Sequence, residues 1–263
     1  MQWWCSAQAT AWDWSWQAYP GVWLFIGFLA GGYLLIERSA GPESASRLRS
    51  RAWFGAGLVL LWIALDWPVG ALGAGYLASV HMLQFLMIAL LVPALMLLGI
   101  PAEAFRRLGQ SRAIRPLRLV THPLIALGVF GVVLFYTHIP AVVDGWMSSQ
   151  TGSFGIDMMW LAAGLVFWWP VIAPVPERPR FPAPVKMGYV FLATVLNTMP
   201  YAFLTFGELP FYGIYELAPP VTGISTRQDQ QIAGLLMKMG GGIILWTAIT
   251  VLFFRWFQRE GAE

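Results

Sequence analysis

The sequence predicts an all-α, polytopic membrane protein with seven transmembrane helices, its N-terminus outside and its C-terminus in the cytoplasm. Three observations carry this. Apolar runs recur along the chain, each near the roughly 20 residues that cross a bilayer as a helix. Charged residues are 11% of the whole, against about 25% in soluble domains. Of sixteen Lys and Arg residues, all but Arg227 and Lys238 fall in four short segments that alternate with nearly uncharged ones. With 58% hydrophobic residues and a mean hydropathy of +0.63, a water-soluble core of this length could not hide the apolar surface.

The elements follow in order. Residues 1–19 form a segment rich in Trp (Trp3, Trp4, Trp12, Trp14, Trp16) and read as an external interfacial collar, because Trp favours the membrane–water boundary. The transmembrane domain is residues 20–256. Its spans are residues 20–36, 52–66, 75–98, 123–138, 153–172, 184–206 and 229–254, and residues 257–263 form a cytoplasmic tail. The first, second and fourth are short, so their ends are expected to extend into the connections. Pro93 and Pro200 should kink the third and sixth. The connection APVPERPRFPAPVK is stiff and not helix-forming.

The basic residues set the orientation. Arg38, Arg47, Arg49 and Arg51 follow the first span. Arg106, Arg107, Arg112, Arg115 and Arg118 follow the third. Arg178, Arg180 and Lys186 follow the fifth, and Arg255 and Arg259 follow the seventh. Cytoplasmic connections carry the excess of Lys and Arg, so these mark the inner side. The pI near 9.2 is therefore no nucleic-acid signal, and no nucleic-acid partner is expected. No positive cluster precedes the first apolar run and no small-residue cleavage site follows it, so no cleaved signal peptide is expected. One cysteine, Cys5, can form neither an internal disulfide nor, alone, a metal site.

Polar groups inside a bilayer need a reason. His81 and, one turn deeper, Gln84 lie in the third span. His138 ends the fourth, Asp157 lies early in the fifth, Asn197 in the sixth, and Asp229 and Lys238 in the seventh. All fall in the outer half, and only His122 lies at the cytoplasmic end. Met82, Met87, Met158, Met159, Met199, Met237 and Met239 accompany them. Imidazole with thioether suits copper, and thioether favours Cu(I). A shallow outer-leaflet site of His81, His138 and one or two Met is thus conceivable. Each residue also has a plainer role. Methionine fills gaps in apolar bundles. His81 could make a structural hydrogen bond, His138 could cap its helix end, and Lys238 could pair with Asp157. Gly240, Gly241 and Gly242 could serve a tight helix crossing or a local bend. No zinc, haem-attachment, nucleotide or triad motif is present, so no enzymatic activity is expected.

Five strings in order add to this: HMLQFLMIALLVPALMLLGIP, THIPAVVD, FWWPVIAPVP, MPYAFLTFGELPFYGIYELAP and DQQIAGLLMKMGGG. Together, from about His81 to Trp246, they resemble the CtaG family of assembly factors for caa3-type cytochrome c oxidase. The resemblance implies a seven-helix protein of the bacterial plasma membrane. It would help to mature a haem–copper oxidase, at copper delivery or metal-site assembly, with oxidase subunits or other assembly factors and the lipid bilayer as partners. On it, His81 and Gln84 match the third-span motif, His138 with Pro140 the end of the fourth, and Asp229, Gly234, Met237, Gly241 and Gly242 the seventh. The family pattern places a second histidine one turn after the first, where this chain has Phe85. The expected copper ligands are then His81, His138, Met237 and Met199, with Asp157 and Asp229 giving the entrance a negative field. A haem-binding redox protein and a small-solute or metal permease are the alternatives.

Overall fold

The computed structural model describes residues 2–39, 44–110, 119–173 and 182–260, and every regular element among them is helical. Arg112, Arg115, Arg118, Arg178, Arg180 and most of the proline-rich connection lie outside the described residues. Six stretches are long and apolar enough to cross a membrane: Pro20–Arg38, Arg47–Leu65, Ala78–Gly99, Gln150–Ile172, Ala183–Phe206 and Thr226–Glu260. A seventh arises if the bent pair Pro123–Tyr136 and Pro140–Met147 is one span.

Helices α1 (Pro20–Ser39) and α2 (Ser44–Leu65) form an antiparallel pair. The predicted third span starts later than residue 75. A short helix α3 (Val69–Gly75) is followed by extended Leu77 and then by α4 (Ala78–Phe85). The chain continues through a π-helical turn, Leu86–Leu91, into α5 (Val92–Gly99). Pro93 is the cause of this irregularity, since it has no N–H for the Ala89 carbonyl four residues back. The neighbouring helix uses that spot: a side chain at Gly164 would collide with the Ala89 carbonyl and the Pro93 ring. Helix α6 (Ala102–Gln110) completes this half.

Helix α7 (Pro123–Tyr136) and α8 (Pro140–Met147) meet at 75°. Pro140 sits at the first turn of α8 and holds Ile139 extended, at φ −69° and ψ 124°, so one helix cannot run through. Helix α9 (Gln150–Ile172) starts at Ser149, whose hydroxyl accepts the Gly152 N–H. The sixth span breaks at Asn197, between α10 (Ala183–Leu196) and α11 (Thr198–Phe206), three residues ahead of Pro200. One turn, α12 (Gly213–Glu216), precedes the 35-residue α13 (Thr226–Glu260).

α2 packs on α5, α9 on α5 and α7, and α13 on α4, α10 and α11. Leu24 and Phe28 leave the outer side of α1 exposed, as a lipid-facing helix requires. The bundle has two distinct ends. One gathers the N-terminal segment, α3, the α7–α8 bend and the start of α13. The other gathers Glu37 with Arg51 (2.7 Å) and the Lys186 ammonium on the Val171 carbonyl (2.9 Å).

The N-terminal segment corrects one expectation. Trp14 and Trp16 are exposed, as a collar would have them, but Trp4 is only 1% exposed and belongs to the core. The backbone explains why. Trp3 accepts the Gly21 N–H, its own N–H reaches the Gln150 side chain, and Ala7 donates to Met147, so the strap is laced across α1, α8 and α9.

Candidate functional site

The first group of this end comes from α4. Its leading N–H groups have no helical partner, and a carboxylate from another helix meets them. Asp229 of α13 accepts the Ala78 N–H at 2.6 Å and also bonds the Ser79 hydroxyl. This places His81 one turn inside a fixed helix start. Its imidazole is buried, lies 4.9 Å from the Trp160 ring and 5.9 Å from that of Tyr215, and meets the Gly73 carbonyl. The Tyr215 hydroxyl donates to that same carbonyl at 2.8 Å. His81 Nδ1 is buried with no protein partner.

His138 follows from the α7–α8 bend. Its backbone N–H turns to the Phe135 carbonyl, so the Leu134 carbonyl is left to the ring, which Nδ1 meets at 2.6 Å. A carbonyl only accepts, so Nδ1 carries the proton and Nε2 holds a bare lone pair. That Nε2 is buried and has no protein partner. His138 therefore caps its helix, the plainer of its two roles, and still keeps one nitrogen free. Phe85 links the two histidines. Its ring is 5.3 Å from His138 and 5.4 Å from Trp160, and Trp160 is tied to Thr137 Oγ1 at 3.0 Å. The imidazoles lie within electrostatic reach of one another, amid aromatic rings.

The other predicted residues separate. Gln84 donates to the Ala64 carbonyl at 2.8 Å and leaves its Oε1 buried and unpartnered, beside Gly73. Met237 is fully buried on α13, the helix that packs on α4, α10 and α11. Met199 is not brought to the histidines: it is 60% exposed, on the outward side of α11. Lys238 and Asp157 do not pair. The lysine donates to Thr198 Oγ1 at 3.0 Å and lies 4.9 Å over the Tyr201 ring, while Asp157 accepts the Trp4 indole N–H at 2.7 Å. Nor do Asp157 and Asp229 line an entrance. Both are buried and spent on hydrogen bonds within the chain. Gly241 lies at ordinary packing distance from the side chains of Leu86, Leu90 and Asn197.

Cys5 donates to the Leu65 carbonyl, and burial together with Asp157 and Asp66 pushes its thiol well above the ordinary range. It is thus no thiolate ligand at neutral pH. Burial likewise raises the Tyr212 and Tyr215 hydroxyls, which stay protonated donors. Tyr212 donates to the His138 carbonyl at 3.1 Å, and Asp144 caps α12 through the Gly213 and Ile214 N–H groups. A largely apolar cavity of about 320 Å³ opens beside His138, between Phe135, Ile139, Pro200, Phe203 and Tyr212. Sequence reasoning missed Trp160, Tyr215, Asp144 and Trp4. Nothing in spacing separates Trp160 from the other tryptophans, and α12 becomes visible only when folded.

As a metal centre the arrangement is sparse. Among the described residues no group of three or more His, Cys, Asp or Glu side chains converges. A closed zinc site needs four such ligands. Two imidazole nitrogens without a protein partner suit a soft, low-coordinate cation such as Cu(I) better than zinc.

The family model for the cytochrome c oxidase caa3 assembly factor (Caa3_CtaG) matches residues 26–259. Two curated relatives, the uncharacterized proteins Mb0105 of Mycobacterium bovis and MT0111 of Mycobacterium tuberculosis, are each 24% identical over 194 residues. That covers 65% of this chain and 29% of either relative, so the chain spans under a third of their length. No solved structure matches.

Proposed function

The chain belongs to the cytochrome c oxidase caa3 assembly factor family, and we propose that it holds or passes Cu(I) during maturation of a haem–copper oxidase, from the outer face of the bacterial plasma membrane. In this reading the bent α7–α8 pair is the seventh span, and the end carrying His81 and His138 faces outward. The excess of Lys and Arg on the alternate connections supports that orientation.

One observation carries the proposal: two buried imidazoles each keep a ring nitrogen with no protein partner. Burying an unsatisfied polar atom costs about 1–3 kcal/mol, a cost that a bound ion would offset at both rings. His81 Nδ1 and His138 Nε2 would hold the ion, with Met237, buried on α13, as the candidate thioether. Copper is cargo here, and a sparse ligand set that can release it suits transfer better than storage. Asp229 and the Leu134 carbonyl hold the two histidines in place, and Trp160 and Phe85 exclude water. A haem held between the two histidines would need the space that Trp160 and Phe85 fill, which favours a single ion over haem.

Purified protein titrated with Cu(I) against a competing chelator tests this. His81→Ala and His138→Ala should each weaken binding by about tenfold or more. If both bind copper as the parent does, the assignment is wrong. A deletion strain whose oxidase activity returns on adding copper would support delivery, and loss without rescue would make the protein a scaffold.

A further inference from the structure

We infer that the outward seam of α13 docks a transmembrane helix of a different protein, one that presents a carboxylate at the depth of Lys238. The inference rests on the membrane-spanning reading and not on the copper reading.

The seam has a regular pattern. Ile232, Leu235, Met239, Gly242 and Trp246 recur at alternating spacings of three and four, the repeat by which one helix packs along another. Ile232, Leu235, Met239 and Trp246 are 40%, 51%, 63% and 52% exposed. Gly242 has nothing within 4 Å of where a side chain would start. Its neighbour Gly241 is buried against Leu86, Leu90 and Asn197, whereas Gly242 meets no described residue at that distance. In lipid, a small residue on such a face lets a second backbone approach closely.

Lys238 sits one residue before Met239, at the flank where charges on paired helices meet. α13 is tied by Asp229 to the start of α4, and Lys238 lies nine residues further, about 13 Å deeper. That is too deep to reach headgroup phosphates easily. Its ammonium has one hydroxyl, Thr198 Oγ1, and one ring, Tyr201, both neutral. Among the described residues it has no carboxylate partner. A cation in hydrocarbon is costly and ordinarily pairs.

A second copy of this chain cannot supply the missing charge. Of the described carboxylates on the candidate spans, Glu37 is held by Arg51, Asp144 by the Gly213 and Ile214 N–H groups, Asp157 by Trp4 and Asp229 by α4. Glu260 bonds Trp256, some 33 Å along α13 from Lys238. The complement must therefore come from another polypeptide.

The test uses full-length protein in phosphatidylcholine liposomes and a poly-leucine transmembrane peptide with one Asp about 13 Å from its outer end, beside all-Leu and Asn versions. Energy transfer should report association of the Asp peptide about tenfold stronger than of the Leu peptide. Lys238→Arg should keep that preference and Lys238→Met should remove it, while Gly242→Leu weakens all three peptides. Equal association of Asp and Leu peptides overturns the inference, and so does an undiminished preference in Lys238→Met. Displacement of the Asp peptide by added phosphatidylglycerol would make Lys238 a lipid site and also overturn it. Self-association lost in Gly242→Leu would give the seam to a second copy and overturn it equally. Lys238→Met should bind Cu(I) like the parent, so the copper titration fails or succeeds separately.

Discussion

The two ends of the bundle solve the problem of polar groups differently. At the end bearing His81 and His138, three carboxylates bind partners far away in sequence, and Asp157 and Asp229 among them are buried. Asp229 caps α4, Asp144 caps α12, and Asp157 holds Trp4. At the other end the basic partners are exposed: Arg51 is 56% exposed against the buried Glu37, and Arg107 reaches Glu103 one helical turn away. The first end is a cross-linked frame in which each short element is fixed by another. The second pairs its charges at the surface and packs through aromatic rings such as Tyr33 on Phe54 and Phe105 on Trp169.

Asp229→Ala should break that contrast most. It leaves the Ala78 and Ser79 N–H groups buried and unpaired, an expected loss of about 2–5 kcal/mol. Thermal unfolding in detergent would report it, and Asp229→Asn, which keeps an acceptor oxygen, should lose about half as much. The frame reading fails if the alanine variant melts with the parent.

A smaller effect is expected at Trp4→Phe. The ring contacts with Phe25 and Phe154 are largely kept, but Asp157 loses its donor. About 1–3 kcal/mol should be lost, with the strap more open to protease before residue 20. Unchanged proteolysis and melting would show that the strap is held without this bond.

At the opposite end, Arg51→Ala takes the partner from the buried Glu37 carboxylate while its own guanidinium is largely solvated, so a drop in melting temperature smaller than that of Trp4→Phe is expected. A drop as large as that of Asp229→Ala would erase the distinction between the ends.

The smallest effect concerns Cys5. Its raised thiol keeps the proton in the folded state, so this group's contribution to stability is full below the ordinary thiol range and fades as pH rises above it. Folded protein should resist maleimide near neutral pH and react only once unfolded or at strongly alkaline pH. Rapid labelling of folded protein at neutral pH would contradict the burial.

Much of the fold was legible because hydrophobic length is a local property. Each apolar run between charged connections became helical, several as broken helices, and Pro93 and Pro200 lie where two of the spans are interrupted; the bend at Pro140 was not foreseen. The strings around His81, His138 and Asp229 pointed to the family, and those residues did gather at one end. Their roles were less legible. Asp157 and Asp229 read as an entrance field because a carboxylate near a boundary looks the same whether it faces water or an N–H from another helix. Met199 read as a ligand because depth was known and rotation about the helix was not.

The sequence by itself determined the helical class, six of the candidate spans and the family, since these follow from the length of apolar runs, the spacing of charges and ordered motifs. Only the tertiary structure decided which nitrogen of each histidine is spent, which carboxylates are caps, and which face of α13 is bare. Those depend on the rotation and crossing of helices distant in the chain, and a contact such as Asp229 with Ala78 has no signature in either local segment.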